Sequence, residues 1–248
     1  MRNEMVEVCN LKPEIYNQQG RPMDLPLSVS LDEVWSGVQS HALRKVLFEG
    51  EGTGKISSYV AGWMASKGVE VIVLDGANRF DPYAVSSFAR KALIPPEGLL
   101  KRIRIARAFT CYQMATLMSE KLVCLLAEEG VLDQEQKPKV ILLGPITTFL
   151  DEDVPEREVG PLFERSLRRV DDLTAEGICF FLFQPFIPSH SKRAYLMRRL
   201  FQFSHLVWRI TWEDEGPKVA LKKGPRNINE NCKLQNEKCK FSEKILPL

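Results

Sequence analysis

Two uninterrupted apolar runs, Val-Ile-Leu-Leu at 140–143 and Ile-Cys-Phe-Phe-Leu-Phe at 178–183, constrain this chain more than any other feature. A strand with one wet face alternates apolar and polar residues. These runs offer no polar face, so each must be covered on both sides, the situation of a central strand in a parallel sheet. Around them short β-rich runs alternate with helical ones, at 45–48, 56–67, 69–74, 83–93, 103–106, 112–129, 140–143, 159–176 and 178–183. That alternation predicts an α/β domain with a mostly parallel central sheet and helices on both faces. After Phe203 the pattern changes. Residues 205–212 and 218–222 flank Glu-Asp-Glu-Gly-Pro, which predicts a C-terminal antiparallel hairpin at one end of the sheet.

At 248 residues and 44% apolar content the chain can bury one large core. Residues 1–27 are polar, contain Pro13, Pro22 and Pro26 and show no sustained period, so an irregular arm is expected there, with the core at 28–226. Residues 227–248 are rich in Asn, Lys, Glu and Gln, the composition of a disordered tail. A formal net charge of +2 gives no global basic field, so any nucleic-acid contact must come from a local patch. The cysteines Cys9, Cys111, Cys124, Cys179, Cys232 and Cys239 form no C-x-x-C pair or zinc spacing and read as reduced thiols. The apolar runs fall far short of the roughly 20 residues that span a bilayer. These features lead us to expect a cytoplasmic protein with no membrane partner, nucleoid-associated if prokaryotic.

Gly50, Glu51, Gly52, Thr53, Gly54 and Lys55 lie between a predicted strand and a predicted helix. Backbone N–H groups and a helix N-terminus can cradle phosphate there, and the lysine can reach it. By the strict pattern G-x-x-x-x-G-K-[ST], Glu49 stands where the first glycine belongs and Ile56 where the Mg²⁺-binding hydroxyl belongs, with Ser57 one step further on. Taken by itself, the loop is equally compatible with a glycine-rich turn that holds no ligand.

The surroundings resemble the ATPase core of the RecA/RadA-type recombinases, in its archaeal and eukaryotic branch. Leu31-Asp32-Glu33-Val34-Trp35-Ser36-Gly37 is similar to the lead into that family's Walker A loop. The run from Ile72 through Asp75, Gly76, Ala77, Asn78, Arg79, Phe80, Asp81 and Pro82 is similar to its next strand and turn. Ala106-Arg107-Ala108-Phe109 resembles the family's "ARAF" phrase, residues 140–143 its Walker B strand, and Gln184 the glutamine that couples the γ-phosphate to the DNA-binding loops. The resemblance covers about 31–226. It implies a RecA-like P-loop fold, ATP as ligand of residues 50–57, and DNA recombination or repair as setting.

The same resemblance marks departures. Ile56 and Gly144 stand at the two Mg²⁺-ligand positions, and Ala77 where the family's water-orienting glutamate belongs. A hard cation wants oxygen ligands, and a methyl group cannot orient water. Mg²⁺ binding and ordinary hydrolysis are therefore not expected, so the chain leans away from being an enzyme. Asp81 replaces the arginine that packs over adenine, with Arg79 nearby. Of the two loops that face DNA in the family, residues 151–158 carry five acids against Arg157. Residues 189–203 offer Lys192, Arg193, Arg198 and Arg199 beside Tyr195 and Phe201, a mixture suited to single-stranded DNA or to the solvated face of an amphipathic helix. Lys101, Arg102, Arg104 and Arg107 form a further basic cluster. No F-x-x-A segment for linking neighbouring subunits is present. The leading expectation is a recombination or repair accessory protein, partnered by single-stranded DNA and by a recombinase or other repair protein, that holds ATP with weak or no hydrolysis. The alternative is a pseudo-ATPase interaction module that binds neither nucleotide nor DNA.

Overall fold

In the computed structural model, described over residues 14–16, 22–24, 43–131, 134–187, 191–213 and 216–224, a seven-stranded sheet carries the chain. Two three-residue strands, β1 (Glu14–Tyr16) and β2 (Pro22–Asp24), pair antiparallel in a sheet of their own, within the stretch read as an irregular arm. The rest of that arm and the tail at 227–248 lie outside the described residues, as does the 31–37 phrase.

The main sheet is built from β3 (Lys45–Gly50), β4 (Val71–Asp75), β5 (Ile103–Arg107), β6 (Lys139–Leu143), β7 (Cys179–Gln184), β8 (Leu206–Glu213) and β9 (Gly216–Lys223). Their spatial order is β5-β4-β6-β7-β3-β8-β9, parallel throughout except for the β8–β9 pair. The expected C-terminal hairpin therefore forms one end of the sheet, and β8 joins it to β3.

The apolar runs are continuous because successive side chains enter different cores. Val46, Phe48, Val73, Leu143, Phe181 and Phe183 enter a core with α1 (Thr53–Ser66), α2 (Pro82–Lys91) and α3 (Pro96–Leu100). The intervening residues, Leu47, Leu74, Leu142, Phe180 and Leu182, enter a second core with α4 (Cys111–Thr116), α5 (Leu122–Glu128), α6 (Glu156–Ala175) and α7 (Ala194–Phe203). Period-2 alternation with both faces apolar is the signature of a sheet covered on both sides.

The helix expected at 112–129 is split by a π turn, Leu117–Lys121, between α4 and α5. Met118 and Leu122 stay buried across it while Ser119 and Glu120 face outward, so the extra residue is absorbed on the wet side. No helix among the described residues is long and apolar enough to cross a membrane.

The end of β3 fixes the entry to α1. Gly50 has φ 126°, and a β-carbon there would lie 2.0 Å from the Ile210 carbonyl oxygen of β8. Both facts exclude an L side chain. We therefore expect Gly50→Ala to destabilise the protein by about 3 kcal/mol or more, the cost of backbone strain plus a steric conflict. Gly98→Ala is the control. Nothing lies within 4 Å of its added methyl, it sits in α3, and it should stabilise by about 0.5 to 1 kcal/mol. Urea denaturation of the two variants checks both signs.

Candidate functional site

The C-terminal ends of the parallel strands bring the motif residues to one edge, where open α/β sheets place their ligands. The glycine loop follows β3, Asp75 ends β4, Arg107 ends β5, Gly144 follows β6 and Gln184 ends β7. Gln184 is in register with Glu49 across the β3–β7 pair, so the glutamine strand adjoins the loop.

The loop is shorter than its pattern suggests. Gly50, not Glu49, is the strand-ending glycine. Glu49 is the neighbouring strand residue, 8% exposed, and its carboxylate accepts from Arg209 Nε at 2.6 Å. Three residues separate Gly50 from Gly54, where the phosphate-loop pattern has four. Only Glu51 and Gly52 lie between strand and helix. The Glu51 N–H donates to Ile210 O at 3.3 Å, which withdraws one donor from any phosphate. No side chain caps α1 at Gly52, and Lys55 is exposed on its first turn without an ion pair among the described residues. Gly54 is packed under Arg79, whose Cβ would be 2.9 Å from a β-carbon at this position.

The hydroxyls after the lysine turn inward. Ile56 is a core residue, 1% exposed. Ser57 and Ser58 donate back to Gly54 O at 2.8 and 3.0 Å, and Ser58 Oγ also accepts from the Asp81 N–H at 2.9 Å. Asp81 in turn caps α2 by accepting from the Tyr83 N–H at 2.9 Å, which accounts for an acid at this position. Thr53, like Gly54, is buried in the first turn of α1.

The carboxylate that ends β4 is structural. Asp75 is fully buried and accepts from the N–H groups of Arg79 and Phe80 at 3.2 and 3.0 Å, with Arg107 Nε 3.6 Å away. It thus holds the turn that carries Arg79 against the glycine loop.

The space between the ends of β4 and β6 is closed. The Leu143 carbonyl accepts from both Gly76 and Ala77, at 2.8 and 3.2 Å, and the Gly144 N–H donates to Phe183 O at 2.7 Å. Gly144 has φ 65°, and a β-carbon there would lie 2.6 Å from both Ala77 Cβ and Thr147 Oγ1. An aspartate cannot stand at 144 without moving both neighbours. Gln184, 1% exposed, accepts from the Ile146 N–H at 3.0 Å and donates to Pro185 O at 3.1 Å, so it braces this junction. No group of three or more His, Cys, Asp or Glu side chains that could hold a metal occurs among the described residues.

The two oppositely charged segments meet. Arg193 is 6% exposed, and its guanidinium donates to the carbonyls of Phe149, Asp151 and Val154 at 2.7, 2.5 and 2.6 Å and to Glu156 at 2.9 Å. Tyr195 donates to the same glutamate at 2.9 Å, and Arg199 pairs in bidentate fashion with Glu164 at 2.6 and 2.9 Å. Of the five residues assigned to nucleic acid, Lys192 and Arg198 remain exposed with no ion pair among the described residues, while the other three are engaged within the protein. In the other basic cluster Arg102 pairs with Glu70, Arg104 with Glu129 and Arg107 with Asp75.

Sequence reasoning missed Arg193 as a clamp. Its signal was indirect, an arginine at the start of an amphipathic segment in a chain whose preceding loop is acidic. The hydrogen bonds from Tyr195 and Arg193 hold Glu156 below the usual glutamate value of 4.5.

No protein-family model matches the chain, and no curated protein matches it.

Arg193→Ala should destabilise the protein by about 3 kcal/mol, because three carbonyls lose a charged donor and part of the site is dry. A depressed glutamate contributes stability that is present above its unfolded value and lost as pH falls through its folded one. Wild type should therefore lose stability faster than Glu156→Gln as the pH is lowered below 4.5. Denaturation midpoints across a pH series read the difference, and parallel curves would contradict the pairing.

Proposed function

We propose that the chain is a RecA/RadA-type core adapted to binding without turnover, an accessory protein of DNA recombination or repair. The observation that carries the non-hydrolytic part is the junction of Ala77 and Gly144: a β-carbon at 144 would lie 2.6 Å from Ala77 Cβ and Thr147 Oγ1, so a metal-ligand carboxylate has no room there, and the methyl group of Ala77 supplies nothing to orient water. The succession of the glycine loop, Asp75, the Ala106 to Phe109 phrase, the apolar β6 and Gln184 along one sheet edge supports the RecA-type reading. The strand order supports it against a dinucleotide-binding fold. There the first strand pairs directly with the second, whereas β6 and β7 lie between β3 and β4 here.

The uncapped first turn of α1, with Lys55 and Arg79 beside it, suits a phosphate group held by donors and charge alone. ATP binding at 50–57 belongs to this proposal. Mg²⁺ has no ligand set there, since Ile56 is buried in the core and Ser57 is bonded to Gly54 O.

A second reading, a pseudo-ATPase interaction module that binds neither nucleotide nor DNA, is favoured by the one-residue-short loop and by the Glu51 N–H spent on Ile210. Calorimetric titration with ATP and ADP separates the two: saturable binding weakened by Lys55→Ala supports the first, and no heat at millimolar nucleotide supports the second.

Purified protein should release no phosphate above a Lys55→Ala control, with or without single-stranded DNA. Ala77→Glu alone should create no activity, and Gly144→Asp should lower stability rather than restore a metal site. Turnover that depends on Lys55, or a large gain from Ala77→Glu, would overturn the non-hydrolytic reading.

A further inference from the structure

Two exposed arginines, Arg165 and Arg168, lie away from the sheet edge. A groove of about 490 Å³ runs between the π turn and α6, with Ser119 and Glu120 on one wall and Arg165, Arg168, Arg169 and two aspartates on the other. The positions of the arginines on α6 put them on adjacent turns of one face. Their environments differ. Arg169 pairs with Asp172 at 3.3 Å, and Asp171 is drawn to Lys45 at 2.5 Å, so both aspartates are neutralised. Arg165 and Arg168 are exposed and make no ion pair among the described residues, and of the lining acids only Glu120 has no cation partner among them.

The lining is selective in another way. Every residue of it is polar or charged, and none is aromatic. A protein partner would need an apolar or aromatic anchor in a desolvated pocket, which this groove lacks. A phosphodiester backbone is held by forked guanidinium donors in a wet groove, which Arg165 and Arg168 supply here; the one hydroxyl of the lining, Ser119, already donates to Ala115 O at 2.6 Å. The π turn carries Ser119 and Glu120, which form the second wall.

We infer that the groove between the π turn and α6 is a nucleic-acid backbone site in which Arg165 and Arg168 contact successive phosphates of a single strand. The inference rests on the DNA-binding part of the proposed function, and it assigns the contact to a surface separate from α7, where three of five candidate residues are already engaged. Without a stacking side chain the site reads no bases. Binding is therefore governed by charge and salt, and Glu120 opposes it.

The test is fluorescence anisotropy of labelled oligothymidylate and oligoadenylate of equal length, over a salt series, with full-length protein. Arg165→Ala/Arg168→Ala should weaken binding about tenfold at low salt and reduce the slope of log K against log[salt] by about 1.4, two phosphates' worth for a single strand. Glu120→Gln should strengthen binding, and the two oligonucleotides should behave alike. Both changes are at exposed side chains, so circular dichroism melting should match wild type. Wild-type binding that survives the double substitution with an unchanged salt slope, and falls instead with Lys192→Ala/Arg198→Ala, would overturn this site and leave the proposed function standing. No binding by wild type at low salt would remove both. Competition by poly-glutamate as effective as an oligonucleotide of equal charge, lost in the same double variant, would make the groove a surface for acidic protein segments and overturn the nucleic-acid assignment.

Discussion

A single carbonyl, that of Leu143, organises the edge of the sheet. By accepting from Gly76 and Ala77 at once it ties the end of β4 to the end of β6, and Gly144 then turns to bond Phe183 on β7. Three parallel strands are thereby fastened at their C-terminal ends by backbone alone. In a nucleotide hydrolase that same space must stay open for a cation, its water ligands and an attacking water, which together need several oxygen atoms in fixed geometry. Here alanine and two glycines let the two strand ends approach to hydrogen-bonding distance, and a β-carbon at 144 would meet Ala77. The small side chains of Gly76, Ala77 and Gly144 and the close approach of the strand ends go together. Small residues permit the contact, and the contact excludes larger ones.

The glycine loop obeys the same logic. Its first glycine is demanded by Ile210 on β8, and its last by Arg79 on the turn that Asp75 holds. Each of these close approaches would persist with no phosphate in the site, so the glycines do not by themselves testify to a ligand. What does bear on a ligand is what the packing leaves over: an uncapped helix start and the exposed Lys55. Asp75 and Asp81 have backbone N–H groups as partners and act as turn and cap.

The central strands of the main sheet were legible because burial on both faces imposes unbroken apolar runs such as 140–143 and 178–183. Its helices were legible where a stripe faced one core. The π turn was not, since Met118 and Leu122 keep the apolar spacing that an ordinary helix also tolerates. Nor was α3, whose five residues begin with a proline and are too few to show a period. At the site, the residue types at Ile56 and Gly144 could be read as unable to hold a metal, because chemistry depends on what a side chain can donate. The place where the strand ends was not legible, because the pattern aligned on Lys55 puts its first position at Glu49, whereas β3 runs on to Gly50.

Charge was the least legible property, for a physical reason. A local run of acids or bases predicts a field only if its partners in space are known, and Arg193 and Glu156 are 37 residues apart. Once folded, Glu156 of the acidic loop is the counter-ion of Arg193, and Arg199 pairs with Glu164 further along α6. Burial makes the Arg193 clamp the strongest of these contacts, since a nearly dry guanidinium must satisfy all its donors, whereas the half-exposed Arg199–Glu164 pair gains little. A segment neutralised from within has little net attraction left for a distant polyanion, because screening removes what pairing has not. The electrostatic character of this surface therefore belongs to the cations that no acid has claimed, and among the residues of α6 and α7 those are Arg165, Arg168 and Arg198.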